Sequence, residues 1–240
     1  MSYADNNPYR SWGMIAADAQ PNERLGFIRK TYAHLAGAIL ALVALEAVLL
    51  SLPGVGEMVN LMIGGRFSWL IVIGAFMAIT WVANNMAQSN TSPGTQYIGM
   101  GLYVVAQAVI FLPLLYIASN FGGPNVIPTA GLITLLLFGG LTAIVFMTGA
   151  DFSFLRTGLM IAGLAAMGLI LCSVIFGFDL GVLFTVAMIA LMCGYILYDT
   201  SNVLHHYRIG QHVAASLALF ASVVLLFWYI LQLLMSLNRR

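Results

Sequence analysis

Seven stretches of about 20 largely apolar residues divide this sequence, and they constrain its fold more than any other feature. A helix rises 1.5 Å per residue and needs about 20 residues to cross the roughly 30 Å hydrocarbon core of a bilayer. Each stretch is therefore predicted to be a membrane-spanning helix. The stretches run approximately over residues 31–52, 67–86, 97–119, 127–148, 154–176, 180–204 and 213–237.

The composition agrees with a protein that lies mostly in lipid. Hydrophobic residues make up 61% of the 240 residues and charged residues only 7%, whereas a soluble domain carries about 25% charged residues. The lipid bilayer is thus the main predicted partner. The formal net charge is only +1 and the sequence has no basic tract, so no nucleic-acid partner is expected.

The links between the apolar stretches are short and carry turn residues such as Pro53, Gly54, Gly122 and Pro124. Short links place consecutive helices antiparallel and side by side. The predicted fold class is therefore an all-α integral membrane protein, a seven-transmembrane-helix bundle over residues 31–240. Residues 1–30 are polar and are predicted to form a mobile cytoplasmic tail, with a short interfacial helix over residues 24–30.

The positions of the basic residues predict an orientation in the membrane. Cytoplasmic loops carry an excess of Lys and Arg. With the tail in the cytoplasm, six basic residues lie on that side and three on the other, so the amino terminus is predicted inside and the carboxyl terminus outside. The six are Arg10, Arg24, Arg29, Lys30, Arg156 and Arg208, and the three are Arg66, Arg239 and Arg240.

One acidic residue, Asp199, closes the apolar run that begins at Leu180, and no residue of opposite charge lies within that run. Ionisable residues inside membrane segments are costly and mark ion or proton sites. Asp199 is therefore the first candidate functional residue. It ends a stripe of residues spaced by three and four along the sixth span, which predicts a polar face toward the bundle interior. The stripe comprises Thr185, Met188, Met192, Tyr195, Asp199 and Asn202.

Further polar residues fall at similar depth on other spans. Asn84 and Asn85 near the end of the second span, and Ser222 in the last span, are candidates to line the same region. Such a polar seam suits either a hydrated ion route or hydrogen bonding between helices. Glu46, in the outer half of the first span, is a candidate proton or cation site. Alternatively, Glu46 reaches the outer interface or pairs with Arg66.

The remaining titratable residues give weaker signals. Asp151 and Arg156 lie in a predicted loop, where they are either solvated or paired with each other. His205, His206 and His212 follow Asp199, and their spacing favours interfacial histidines over a metal site. No catalytic motif is recognisable, so a non-enzymatic protein without cofactor or bound metal is expected.

Three local sequences, in this order along the chain, resemble the Bax-inhibitor family (transmembrane Bax inhibitor motif proteins). They are residues 151–155 (DFSFL) entering the fifth span, residues 194–200 (GYILYDT) in the sixth, and residues 229–234 (YILQLL) in the last. The likeness extends over about residues 29–237. It implies a seven-helix fold with a central sixth helix that carries an aspartate at the position of Asp199.

The resemblance also implies a function. Members of this family are associated with a pH-sensitive calcium leak, in which that aspartate shares a proton with a second aspartate in the last helix and closes the pore. In this chain Ser222 occupies the position of the second aspartate. A serine can donate a hydrogen bond to Asp199 but cannot share a titrating proton as two carboxyl groups do. A cation leak for calcium or protons, centred on Asp199, is the first functional hypothesis.

Residues 199–202 (DTSN), followed by a serine in the last span, look similar to the bacterial inner-membrane branch of the family. That branch is linked to modulation of the membrane-anchored AAA protease FtsH, with the polar amino-terminal tail as the segment that the protease engages. The alternative hypothesis is therefore a non-conducting protease modulator in the bacterial inner membrane that acts through residues 1–30.

Overall fold

The structure is a computed structural model that describes residues 13–88 and 92–238, except for the side chain of Arg66. The described residues form eight helices. These are α1 (Pro21–Ser51), α2 (Val55–Ile63), α3 (Arg66–Ala87), α4 (Pro93–Phe121), α5 (Val126–Thr148), α6 (Leu155–Phe176), α7 (Gly181–His205) and α8 (His212–Asn238).

Seven of these helices are long and apolar enough to cross a membrane, which confirms the predicted all-α bundle. Only α2 was not predicted. The sequence at Pro53 and Gly54 indicates a turn, and the chain does turn there, since Gly54 has a φ of 85°. A short helix then starts at once and buries Val59. Its nine residues are enough to cover the end of a bundle but too few to span it.

The first helix begins at Pro21, ten residues before the predicted start of the first span at residue 31. Proline suits the first position of a helix, where its missing N–H leaves no bond unmade. Residues 24–30 are therefore not a separate interfacial helix but the first turns of α1. Phe27 and Thr31 are buried there, and the Thr31 hydroxyl donates to the Phe27 carbonyl at 3.0 Å.

Burial is unequal among the spans, and the predicted central sixth helix is buried mainly toward its carboxyl end. In the most apolar part of each span, 72% of α4 and 56% of α8 are buried, against 22% of α7. The third and seventh spans thus form the core, and the sixth span packs on α8 through the face that carries Asp199. The spans are apolar over most of their surface, so the pattern of apolar residues does not indicate which of them is central.

Helices α1, α4 and α8 begin at one end of the bundle, called here the amino-terminal end, where α7 finishes. Residues 14–16, called here the strap, pair with the α7–α8 link at this end. Ile15 forms an antiparallel bridge with Arg208, and the Ala16 N–H donates to the Tyr207 carbonyl at 2.8 Å. Ala16 is fully buried. This part of the predicted tail is therefore packed on the bundle, while residues 1–12 lie outside the described chain.

Candidate functional site

Asp199 and Ser222 meet between α7 and α8. The Ser222 hydroxyl donates a hydrogen bond to Asp199 Oδ2 at 2.5 Å, and the two residues are 8% and 6% exposed. A short bond to a carboxylate inside an apolar bundle is stronger than a bond between neutral groups. The structure thus brings together the two residues that the sequence placed on different helices and proposed as partners.

The next residues of α7 continue the polar region toward the link between α5 and α6. Thr200 and Ser201 are fully buried. The Ser201 hydroxyl donates to Asp151 Oδ1 at 3.2 Å and accepts the Phe152 N–H at 2.8 Å. This contact anchors the α5–α6 link to α7 two residues after Asp199.

Asp151 carries the main charge of that link. The Ser153 backbone N–H, and after it the His206 side chain, hold the pKa of this half-exposed carboxyl group at about 2, below its ordinary value of 3.8. His206 Nε2 lies 3.1 Å from Asp151 Oδ2. Among the described residues the partner of Asp151 is therefore His206 rather than Arg156, the loop neighbour considered from the sequence.

Tyr207 connects the strap to the surroundings of Asp199. Burial, and to a smaller extent the nearby charge of Asp199, raise the pKa of the Tyr207 phenol. Its backbone N–H donates to the Asn202 carbonyl at 2.9 Å, while its own carbonyl accepts from Ala16. Arg24 Nη2 donates to the Leu204 carbonyl at 3.2 Å from the start of α1. The carboxyl end of α7 is thus covered by the strap and by α1.

The other predicted residues make contacts that do not include this pair. The Tyr195 hydroxyl donates to the Leu159 carbonyl of α6 at 3.0 Å, so it joins α7 to α6. Asn84 is half-buried, Asn85 is exposed, and no hydrogen bond joins either to Asp199 in the described structure. Asn202 is half-buried, and its backbone carbonyl accepts from His206 and Tyr207. The roles of these four residues in an ion path stay predictions.

Glu46 is buried in α1 and is only 5% exposed. Neither of its carboxyl oxygens has a hydrogen-bond partner among residues 13–88 and 92–238. Such burial does not fit the alternative in which Glu46 reaches the outer interface. The other alternative, a pair with Arg66, involves a side chain that lies outside the described structure. Glu46 as a proton or cation site stays a prediction.

The sequence did not indicate a second polar cluster at the amino-terminal end. The Tyr97 hydroxyl lies 3.0 Å from His34 Nε2 and 3.5 Å from His212 Nε2, which joins α1, α4 and α8. The two imidazole rings have centroids 4.9 Å apart. Tyr97 and His212 stand in the first turns of α4 and α8, whereas His34 lies further along α1. Because 63 and 115 residues separate the pairs in sequence, only the folded bundle brings them together.

Comparison with known proteins identifies similar chains across nearly the whole length. The family model described as "Inhibitor of apoptosis-promoting Bax1" matches residues 24–239. Bax inhibitor 1 of Schizosaccharomyces pombe is 28% identical over 223 residues, which cover 91% of this chain and 79% of that protein. Protein LIFEGUARD 4 of Arabidopsis thaliana is 25% identical, with 89% and 85% covered. Protein lifeguard 4 of Mus musculus is 24% identical, with 96% and 93% covered.

Proposed function

The chain belongs to the Bax inhibitor family of multi-pass membrane proteins, and from this premise we propose that it is a pH-sensitive cation leak centred on Asp199. The cation is calcium or the proton, and the membrane is the bacterial inner membrane, with the amino terminus in the cytoplasm. One observation carries the proposal: the hydrogen bond of 2.5 Å between Ser222 and Asp199, inside a bundle that offers Asp199 no cationic partner among the described residues.

This bond ties α7 to α8 while Asp199 is ionised. Protonation removes the charge from the acceptor oxygen, and a cation competes with the hydroxyl for the same oxygen. Either event weakens the tie and shifts the two helices toward a packing that admits ions. A proton or a cation can shift this equilibrium only by binding one packing of α7 and α8 better than the other. Asp199 meets that condition because its bond to Ser222 is made in one packing and weakened in the other.

The single carboxyl group distinguishes this site from a pair of aspartates. Two interacting carboxyl groups titrate in two coupled steps, whereas one carboxyl group beside a serine titrates in one. The proposed leak therefore responds to pH through one protonation step at Asp199, and Ser222 sets how tightly the ionised form is held.

Flux measurements on purified protein in liposomes test the proposal. The protein should pass calcium or protons in a pH-dependent manner, and Asp199→Asn should abolish the dependence on pH. Ser222→Ala should raise flux at least about tenfold, because a hydrogen bond to a charged group contributes about 1.5–3 kcal/mol to the closed state. Ser216→Ala is the matched control, since Ser216 is buried in the same helix but donates to the Val213 carbonyl.

Two results would overturn the proposal. The first is a flux no greater than that of protein-free liposomes at every pH. The second is a pH dependence that survives unchanged in Asp199→Asn, since the titrating group would then lie elsewhere.

The second candidate function is modulation of a membrane-anchored AAA protease through the amino-terminal tail. The strap favours it, because residues 14–16 connect the tail directly to the link that follows α7. A partner that pulls on residues 1–12 would thereby act on the end of α7. Deletion of residues 1–12 leaves the strap and α1 in place and should abolish co-purification with the protease. Normal co-purification after this deletion would exclude the tail as the binding segment.

A further inference from the structure

A cavity of about 660 Å³ opens at the amino-terminal end of the bundle, away from the Asp199–Ser222 pair. It lies between the start of α1, the start of α4 and the link before α8. Lys30, Arg208 and His212 line it, with Glu23 as the acidic residue of the lining. No carboxylate forms an ion pair with Lys30 or Arg208 within the described ranges of the chain. The cavity thus offers two cationic side chains to a ligand.

An apolar groove of about 500 Å³ continues from this cavity along the outside of the bundle. It runs between α1 and α4 and is lined by small residues, among them Gly37, Ala41 and Gly101. The two spaces meet at Tyr97, which lines both, beside His34. A Cβ atom added at Gly37 or Gly101 would meet no atom within 4 Å, so the groove floor is open at both positions.

We propose that the cavity and the groove together bind one anionic phospholipid from the bilayer. The headgroup phosphate lies in the cavity with Lys30 and Arg208, and one acyl chain lies along α1 and α4 over Gly37 and Gly101. Tyr97 stands at the junction of the two spaces. Its ring contacts the acyl chain and its hydroxyl contacts the polar part of the lipid, as aromatic residues do at membrane interfaces.

The chemistry of the two spaces favours this ligand over a free anion. Phosphate alone would use the cavity and leave the groove unexplained, whereas a phospholipid matches both a charged space and an apolar one. Basic pockets between membrane helices are known to hold anionic headgroups. The groove belongs to two membrane-spanning helices, so lipid chains reach it without leaving the bilayer.

A competition between two lipids tests the inference. The purified protein is mixed with equal amounts of phosphatidylglycerol and phosphatidylcholine of identical acyl chains, and bound lipid is counted by native mass spectrometry. Phosphatidylglycerol should be retained preferentially. Lys30→Gln and Arg208→Gln should each lower that preference about fivefold, because a basic residue near an anionic surface contributes about 1 kcal/mol. Arg29→Gln is the control, since Arg29 is exposed but does not line the cavity.

A second pair of variants tests the groove. Gly101→Leu should fill it and reduce retention of both lipids, while Gly140→Leu on α5 should change neither. Both glycines are exposed, helical and open to an added side chain, so both variants are expected to fold.

Several outcomes would overturn the proposal. Equal retention of the two lipids would remove the role of Lys30 and Arg208. Displacement of phosphatidylglycerol by excess inorganic phosphate would indicate an anion site without a lipid chain. Identical effects of the two glycine variants would show that the groove is not the binding surface. These measurements need no ion flux, so they are independent of the proposed leak.

Discussion

A serine facing a buried aspartate makes a bond whose strength depends on a single ionisable group. Ser222 donates to Asp199 in a region with little access to water, and removal of one partner leaves the other buried without its bond. Leaving a buried polar group unsatisfied costs about 1–3 kcal/mol, and more when the group is charged.

Ser222→Ala should therefore lower the free energy of unfolding by about 1–3 kcal/mol at neutral pH. Thermal or denaturant unfolding in detergent would measure the loss. Ser216→Ala provides the comparison, because its hydroxyl returns to its own helix at the Val213 carbonyl and joins no second helix. An equal loss in both variants would mean that the bond to Asp199 adds nothing specific.

A second prediction at the residue scale concerns Asp151. Its carboxyl pKa is held at about 2, below the ordinary value of 3.8. Its contacts therefore stabilise the folded α5–α6 link at pH values above 3.8. That stabilisation is lost as the pH falls through 3.8 toward about 2, where the folded form also takes up the proton. Hydrogen exchange of the Ser153 amide should then accelerate relative to an Asp151→Asn variant at the same pH. A constant ratio of the two rates between neutral and acidic pH would contradict this.

At the scale of helices, α3 and α4 approach each other closely at Gly99. A Cβ atom at Gly99 would stand 2.6 Å from the Ala83 carbonyl oxygen and 2.8 Å from the Ala87 backbone nitrogen. Small residues at such contacts let the two backbones approach, which is how membrane helices gain packing energy without a hydrophobic driving force.

Gly99→Ala should force α3 and α4 apart and lower the free energy of unfolding by about 1–3 kcal/mol, the usual cost of overpacking. Gly101→Ala, two residues along the same helix, is the matched control because its added methyl group meets open space. Unfolding of both variants under identical detergent conditions would measure the difference. If Gly101→Ala lowered the free energy of unfolding as much as Gly99→Ala, helix propensity or lipid contact would be the cause rather than overpacking between α3 and α4.

At the scale of the whole molecule, seven helices long enough to span a bilayer predict that the two ends of the described chain lie on opposite sides of the membrane. Single cysteines at Ala17 and Leu237, in a background without Cys172 and Cys193, should react with a membrane-impermeant maleimide from opposite sides of sealed vesicles. The basic residues further predict that Ala17 lies in the cytoplasm. Labelling of both positions from the same side would require an even number of crossings.

Much of the fold was predictable because it depends on local properties of the chain. Seven apolar stretches of sufficient length specify seven spans, since a helix satisfies its backbone hydrogen bonds within a single segment and can therefore lie in lipid. Asp199 was recognisable for the same kind of reason: a carboxyl group within an apolar run is costly wherever the helix packs. The start of α1 at Pro21 and the helix α2 were missed, because their residues are polar or few and give no signal of span length.

The sequence by itself therefore determined that this chain crosses the membrane seven times and carries a buried acid near one end of the sixth span. Only the tertiary structure decided which helices are central and which side chains meet. Examples are the contact of Asp199 with Ser222, the pairing of Asp151 with His206, and the strap over the end of α7. The physical reason is that helix formation in lipid depends on neighbours a few residues apart. Helix packing depends on shape and hydrogen bonds between residues far apart in sequence, for which largely apolar spans give little periodic signal.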